Sequence, residues 1–80
     1  MKELLEVIAK ALVSSPDDVS VNERVEEDGT IVLELSVAAE DMGKVIGKKG
    51  RIAKAIRTVV KTAAQKNDQK VFVDIVDAKE

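Results

Sequence analysis

Apolar and polar positions alternate with two different periods along the chain, and these periods predict its helices and strands. Apolar residues three or four positions apart predict a first helix over about residues 2–14, which ends before Pro16 because the residue preceding a proline disfavours helical dihedrals. Alternation at every second residue then predicts strand one from Val19 to Val25 and strand two from Ile31 to Val37. Asp28-Gly29 lies between these strands and favours a tight hairpin turn.

The second half of the chain predicts two helices and a last strand. Helix two is short and begins at about Glu40, helix three runs from Arg51 to Gln65, and strand three covers Val71 to Val76. Strands one and two are antiparallel because a tight turn joins them, whereas the two helices between strands two and three suit a parallel, right-handed crossover. The predicted fold is therefore α+β, a two-layer α-β-β-α-α-β domain in which a three-stranded mixed sheet packs against three helices.

Helix three carries more apolar residues than one buried face needs. The expected buried arc consists of Ile52, Ala55, Ile56, Val59 and Ala63. The remaining apolar residues, Ala53, Val60 and Ala64, are expected on an exposed margin that pairs with another copy of the chain or with a different protein. Phe72, the single aromatic residue, is expected in the core.

The length and composition describe one small domain. We expect a single domain over residues 1–80, with a core over about 2–77 and loose residues from Ala78 onward. The longest apolar run is too short to span a membrane, and the N-terminus has no signal-peptide pattern, so a cytoplasmic location is expected. With no cysteine, no histidine and no convincing carboxylate pair, the sequence predicts no enzyme, no metal site and no cofactor.

Charge is distributed unevenly along the chain. The net charge is −2, but residues 41–70 carry nine basic and two acidic side chains, which gives this segment a charge of +7. The rest of the chain carries four basic and thirteen acidic residues, a charge of −9. This asymmetry indicates a basic patch that attracts a polyanion, although a solvated lysine-rich helix is the alternative interpretation.

A glycine-punctuated basic segment between helices two and three is the candidate site. Gly47 and Gly50 allow close backbone approach, Lys48 and Lys49 supply two mobile cations, and the amides that open helix three point outward at the positive end of the helix dipole. The spacing of Gly43, Gly47 and Gly50 differs from the dinucleotide-binding and Walker fingerprints, which also follow a strand directly. The segment therefore predicts phosphate contact without nucleotide hydrolysis.

The segment from Val45 to Gly50 matches the V-I-G-x-x-G core of KH domains, and the helix-first order resembles the type II, bacterial-style KH topology. From Val37 to Val60, and in its length, the chain is similar to the small stand-alone bacterial KH proteins of the KhpA/YlqC group. The resemblance implies a G-x-x-G loop that clamps the backbone of about four nucleotides. Loop chemistry and resemblance together predict these RNA-binding residues: Lys44, Val45, Ile46, Gly47, Lys48, Lys49, Gly50, Arg51, Ile52 and Lys54.

The same resemblance implies a groove for the bases, bounded by helix two, the loop, helix three and the edge of strand two. Ile46, Val45 and Ile52 match its apolar lining, although Ile52 also belongs to the apolar stripe of helix three, which leaves a core role open. Expected contributions from the strand are Val32, Glu34 and Ser36. With one aromatic residue in the chain, the stacking platforms of other RNA-binding folds are not expected.

These observations predict a non-catalytic module for single-stranded RNA, with single-stranded DNA as a second possible ligand. Its expected role is that of an RNA chaperone or a post-transcriptional regulator. The resemblance also implies a homodimer, or a heteromer with a larger KH-containing protein. The alternative is a protein-interaction adaptor whose basic face docks an acidic protein.

Overall fold

Three strands form one mixed sheet, as the sequence predicts. The structure, a computed structural model, describes residues 1–76. Its strands are β1 (Ser20–Val25), β2 (Ile31–Ser36) and β3 (Val71–Val76), in the order β1-β2-β3. β2 pairs antiparallel with β1 and parallel with β3. Because β2 is the central strand, both of its edges are hydrogen-bonded to neighbouring strands, so the expectation that an edge of strand two bounds the groove is wrong.

Three helices cover one face of this sheet. They are α1 (Lys2–Leu12), α2 (Met42–Ile46) and α3 (Arg51–Lys66), and short 3-10 turns occupy Pro16–Asp18, Ala39–Asp41 and Lys48–Gly50. The predicted α+β class and the α-β-β-α-α-β order are confirmed. Within residues 1–76, no helix is long and apolar enough to cross a membrane. The end predicted to be loose, Ala78 to Glu80, lies outside the described residues.

The core lies between the sheet and the helices and is built from alternate strand positions. Leu33 and Leu35 of β2 are fully buried, as are Leu5 of α1 and Val60 of α3. Because side chains alternate between the two faces of a strand, every second strand residue points away from the helices. That second face of the sheet has no layer of helices over it in the described part of the chain.

The buried face of α3 differs from the predicted one. Ala53, Ile56, Val60 and Ala64 are buried, whereas Ala55 is exposed and Val59 is 48% exposed. Of the predicted arc, Ile56 is buried and Ile52 and Ala63 are half-buried, but Ala55 and Val59 are wrong, so the buried face is rotated from the predicted one by roughly a quarter turn of the helix. Both arcs are apolar, so the periodicity alone did not distinguish them, and the packing of α3 against the sheet and α1 decided between them.

Phe72 lies on the open face of the sheet rather than in the core, so that prediction is also wrong. Its side chain is 65% exposed, while its neighbours Val71 and Val73 are buried. Phe72 pairs with Val32 of β2, which points to the same open face. Strand parity accounts for this placement, because burying Val71 and Val73 forces the residue between them outward.

Candidate nucleic-acid interface

The turn between α2 and α3 has a backbone that requires glycine. Gly47 (φ 74°, ψ 177°), Lys49 (φ 55°, ψ 25°) and Gly50 (φ 74°, ψ 16°) all have positive φ. The amide of Gly47 donates to the Gly43 carbonyl at 2.9 Å and ends α2, and the amide of Gly50 donates to the Gly47 carbonyl at 3.2 Å. These bonds fold residues 47–50 into a tight turn that directly precedes α3.

Glycine is favoured at positions 47 and 50 of this turn for two different structural reasons. A Cβ atom on Gly47 would lie 2.6 Å from Cγ1 and 2.9 Å from Cβ of Ile52, distances that real Cβ atoms do not show. A Cβ atom on Gly50 would meet nothing within 4 Å, so only its left-handed backbone favours glycine there. Ile52 is half-buried, and its contact with Gly47 holds the turn against the first turn of α3.

The side chains at the tip of the turn are free cations. Lys48 and Lys49 are exposed, and no carboxylate of residues 1–76 lies within 4.0 Å of either ammonium group. Gly50 caps α3 without a side-chain hydrogen bond, and the amide of Arg51 donates to the backbone carbonyl of Lys48. Arg51 and Lys54, on the first turn of α3, are also exposed. The turn therefore presents amides, a helix dipole and ammonium groups to an anion.

Lys44 is held differently from the lysines of the turn. Its ammonium group lies 3.4 Å from a carboxylate oxygen of Asp41 and also bonds the hydroxyl of Ser14. The same carboxylate is fully buried and accepts the backbone amides of Ser14, at 3.1 Å, and Ser15, at 3.0 Å. Burial favours a raised pKa for Asp41, but these amides and the nearby Lys44 outweigh it and hold the pKa below its ordinary value.

The apolar residues that were predicted to line the groove for the bases differ in how far their side chains are exposed. Val45 is fully buried, so its side chain packs in the core and does not reach the surface. Ile46 is half-buried beside the turn and contacts the core from its margin. Among the predicted residues, those with exposed side chains are Lys44, Lys48, Lys49, Arg51 and Lys54, and of these only Lys44 has a carboxylate partner within the described residues.

The strand residues expected to contribute do not face α2 or α3. Val32 and Ser36, like Glu34 between them, lie on the open face of the sheet, because the residues that alternate with them on β2 face the core. On that face Arg24 forms ion pairs with Glu34, at 2.9 Å, and with Glu26, at 3.0 Å. The expectation that these three β2 residues line a groove beside the helices is therefore wrong.

A cleft between α3 and the open edge of β3 was not predicted. It has a volume of about 700 Å³, and we call it the β3 cleft. Its lining consists of Asp28, Thr30, Arg57, Lys61, Gln65, Gln69, Lys70 and the segment from Val71 to Val73. The spacing of Arg57 and Lys61 on one helix face was visible in the sequence. The identity of the edge strand was not, because it depends on the order of strands in the sheet.

One hydrogen bond joins the two walls of the β3 cleft. The Nε atom of Arg57 donates to the backbone carbonyl of Val73 at 3.1 Å. Three cationic side chains, those of Arg57, Lys61 and Lys70, face a single carboxylate, that of Asp28. Hydrogen bonds from Thr30 hold the pKa of Asp28 below its ordinary value, so this carboxylate stays charged at neutral pH.

Comparisons with known proteins agree with this arrangement. Residues 2–75 match the sequence profile of the KhpA/KhpB KH domain. RNA-binding protein KhpA of Clostridium perfringens is 66% identical over 95% of this chain and 100% of its own length, and that of Clostridium acetobutylicum is 63% identical over the same shares. A crystal structure of Aquifex aeolicus Era matches 95% of this chain and 29% of its own with a TM-score of 0.65, and at 18% identity it shows a shared fold. The chain therefore belongs to the KhpA/KhpB family of KH domains.

Proposed function

We propose that this chain is a non-catalytic module that binds single-stranded RNA through the turn of residues 47–50. The observation that carries the proposal is the pair Lys48 and Lys49, which is exposed, unpaired within the described residues and framed by two glycines at the start of α3. Phosphate oxygens of a polynucleotide match this set of donors, because amides and ammonium groups bind them without regard to base sequence. The relatives' name, RNA-binding protein, supports RNA as the ligand.

The basic flank of α3 supplies a path for the strand beyond the turn. Lys54, Arg57 and Lys61 follow one another at spacings of three and four residues, which places them along one side of the helix. At a rise of about 1.5 Å per residue, Lys54 and Lys61 lie about 10 Å apart along the axis, a distance that suits two or three nucleotides. Arg57 and Lys61 also line the β3 cleft, so bases of a strand held at the turn can enter that cleft.

We assign the chain a role in RNA metabolism as an RNA chaperone or a post-transcriptional regulator, and RNA as a ligand favours the cytoplasm as its location. A module that holds about four nucleotides binds weakly and with little sequence information, so it suits contacts with many transcripts. Single-stranded DNA offers the same phosphates but lacks the 2′-hydroxyl group, and the experiment below compares the two ligands.

Pairing with a second copy increases the affinity of such a small module, because the second contact becomes intramolecular. The predicted margin of Ala53, Val60 and Ala64 is buried and does not serve as an interface. The exposed apolar residues of α3 are Val59 and Ala55, and we propose that the contact with another copy, or with a larger KH-containing protein, forms through them. The name of the family, which joins KhpA with KhpB, supports a heteromeric partner.

Fluorescence anisotropy with a labelled 12-nucleotide single-stranded RNA, and with DNA of the same sequence, tests the proposal. A phosphate-binding module loses affinity as salt rises, with a log-log slope of about −0.7 for each phosphate contacted. The double variant Lys48→Asp, Lys49→Asp is expected to abolish binding while circular dichroism stays unchanged. Aspartate at position 49 suits the left-handed backbone found there, since Asp is enriched in that region.

The matched control carries the same change of charge away from the turn. Lys2 and Lys10 are exposed on α1, so the double variant Lys2→Asp, Lys10→Asp alters the net charge equally. We expect this control to keep most of the affinity. Equal losses in both variants would show that net charge, and not the turn, attracts RNA. Binding to neither nucleic acid at any salt concentration would contradict the proposal and favour the adaptor alternative.

A further inference from the structure

The open face of the sheet carries an exposed aromatic ring beside a pocket. Phe72, the only aromatic residue of the chain, is 65% exposed there and pairs across the ladder with the half-buried Val32. The end of the β1–β2 hairpin forms an adjoining pocket of about 650 Å³, whose lining includes Phe72, Val32, Val25, Glu26 and Glu27. Aromatic side chains are enriched where proteins bind one another, so this uncovered face has the character of a docking surface.

Two carboxylates lie directly opposite each other on this face. Glu34 of β2 and Asp74 of β3 are partners in the parallel register, and both point away from the helices. Like charges at such positions repel each other, although the repulsion costs the fold little where the side chains reach water. Arg24 offsets Glu34 in part, but no cation of residues 1–76 lies within 4.0 Å of the Asp74 carboxylate. An incoming cation placed between the two carboxylates is therefore attracted by both.

Arg24 shows how this face holds a guanidinium. Its Nε atom donates to Glu26 at 3.0 Å and its Nη1 atom donates to Glu34 at 2.9 Å. Val32 separates Arg24 from Phe72 in one row across the three strands. On the Phe72 side of that row, the ring and the Asp74 carboxylate are two residues apart on the same face of β3, and the described residues supply no guanidinium to them.

The chemistry of this second position suits arginine better than lysine. A guanidinium is planar, so it can stack on an aromatic ring while its fork of N–H donors binds carboxylates at its edge. An ammonium group has neither the flat face nor the fork. Phe72 supplies the ring, and Asp74 and Glu34 supply the carboxylates.

The charge of the open face selects a cationic partner and not RNA. Four carboxylates stand against the single cation Arg24, which leaves a charge of −3; they are those of Glu26, Glu27, Glu34 and Asp74. Asp28 is not counted, because Lys70 lies near it at the border with the β3 cleft. This sign is opposite to that of the turn of residues 47–50, so a polynucleotide is repelled here and a basic segment is attracted.

The size of the face indicates what form the partner takes. Strands lie about 4.8 Å apart and rise about 3.3 Å per residue, so three strands of six residues span about 10 by 17 Å. A stable contact between two folded proteins buries about 800 Å² on each partner, which is several times this area. An extended segment of about five or six residues has the length of the face, so a short peptide fits it better than a second copy of the domain.

We propose that the open face of the sheet docks an extended, arginine-containing segment of a partner protein. One guanidinium of the segment stacks on the ring of Phe72 and binds the carboxylates of Glu34 and Asp74, while its apolar residues contact Val32 and the hairpin pocket. The open face is the side of the sheet away from the three helices, so the segment leaves the turn of residues 47–50 free. The inference does not depend on RNA binding.

The probe is a fluorescently labelled ten-residue peptide with three arginines and two leucines, the rest being glycine and serine. In fluorescence anisotropy, the wild-type protein is expected to bind one peptide per chain, with an affinity that falls as salt rises. Citrulline in place of each arginine keeps the shape and removes the charge, and we expect it to abolish binding. Lysine in place of each arginine is expected to weaken binding about three-fold, because the stacking and the fork are lost.

The ring of Phe72 reports on the site directly. The chain has no tyrosine, tryptophan or histidine, so the aromatic proton signals of the protein come from this one residue. An unlabelled peptide with the same arginines and leucines contributes no aromatic signals of its own. We expect the Phe72 ring signals to shift during the titration and to saturate at the concentration at which the anisotropy saturates.

Two substitutions remove the recognising groups one at a time. Phe72→Val removes the ring but keeps a side chain suited to a strand, and Asp74→Asn removes one carboxylate charge. Each is expected to weaken peptide binding about three-fold, and the double variant about ten-fold. Glu3→Gln is the matched control, because it removes the same charge from an exposed position on α1 and should keep the full affinity. RNA binding is measured for all four proteins and should be the same in each.

Several outcomes would overturn the inference. Absence of saturable peptide binding by the wild type, or equal binding of the citrulline peptide, would show that the face does not dock a cationic segment. Equal losses in Asp74→Asn and Glu3→Gln would show that net charge alone attracts the peptide. Self-association that Phe72→Val abolishes, without peptide binding, would mean that a second copy occupies the face. Failure of RNA binding in the wild type would contradict the proposed function and leave this inference standing.

Discussion

The carboxylate of Asp41 lies 3.4 Å from the ammonium group of Lys44, and it is fully buried while Lys44 is half-exposed. The same carboxylate binds the amides of Ser14 and Ser15, which follow α1 in the chain. α1 ends at Leu12, two residues earlier than predicted, and these two amides bind Asp41 where a longer helix would have used them internally. One side chain therefore ties the end of α1 to the start of α2, which leads directly into the turn of residues 47–50.

Asp41→Asn is expected to lower the melting temperature at pH 7 by at least about 5 °C. The asparagine amide has one acceptor oxygen, so its NH2 group must face one of the two amides that the carboxylate accepts. Thermal unfolding followed by circular dichroism measures the change. Asp74→Asn is the control, because Asp74 is exposed on the open face of the sheet, and it should leave the melting temperature nearly unchanged.

The pH dependence of stability provides a second measurement on the same variant. The pKa of Asp41 is lower in the folded protein than its ordinary value of about 3.9, so the stabilisation is present above that value and is lost as pH falls through the folded pKa. We expect the wild-type melting temperature to fall between pH 5 and pH 3 more steeply than that of Asp41→Asn. Parallel curves for the two proteins in this interval would show that Asp41 does not contribute through its charge.

Alanine at the two glycines of the turn should have unequal effects on stability. Gly50→Ala places a side chain in a left-handed conformation with open space around it, which costs about 1–2 kcal/mol. Gly47→Ala adds a clash with the Cβ and Cγ1 atoms of Ile52 to a backbone that only glycine adopts readily, and we expect a cost of about 3–5 kcal/mol. Urea unfolding gives both values.

Ile52 provides a check on the origin of that difference. A Cβ atom at position 47 would meet the Cγ1, Cδ1 and Cβ atoms of Ile52. The variant Ile52→Ala lacks Cγ1 and Cδ1, so only the contact with the Cβ atom of residue 52 remains. The added cost of Gly47→Ala should therefore be smaller in this background than in the wild type, whereas the cost of Gly50→Ala should not change. An unchanged cost at Gly47 would mean that backbone strain alone accounts for it.

Substitution by aspartate should affect the free energy of unfolding very differently at the neighbouring positions Val59 and Val60. Val60 is fully buried, so Val60→Asp places a charge in the core and is expected to prevent folding. Val59 is 48% exposed, so Val59→Asp should change the free energy of unfolding by less than about 0.5 kcal/mol. If the proposed pairing is correct, Val59→Asp also converts the dimer to a monomer in sedimentation equilibrium, and a wild type that stays monomeric at high concentration would contradict the pairing.

The fold class and the position of the G-x-x-G turn followed from the sequence because both depend on local properties. Hydrophobic periods of two and 3.6 residues distinguish strands from helices without knowledge of their neighbours. Gly47 and Gly50 were recognisable because few other residues tolerate the dihedrals of such a turn. Lys48 and Lys49 were placed at its tip by the same local argument.

Tertiary structure decided which surfaces those elements expose. Two arcs of α3 are apolar, and only packing against the sheet buried Val60 and exposed Val59. Lys44 and Asp41 lie only three residues apart, but the contacts that both of them make with Ser14 form only when α1 and α2 are brought together. The β3 cleft depends on strand order and on the bond between Arg57 and Val73, sixteen residues apart, and neither is encoded in the local periodicity of the chain.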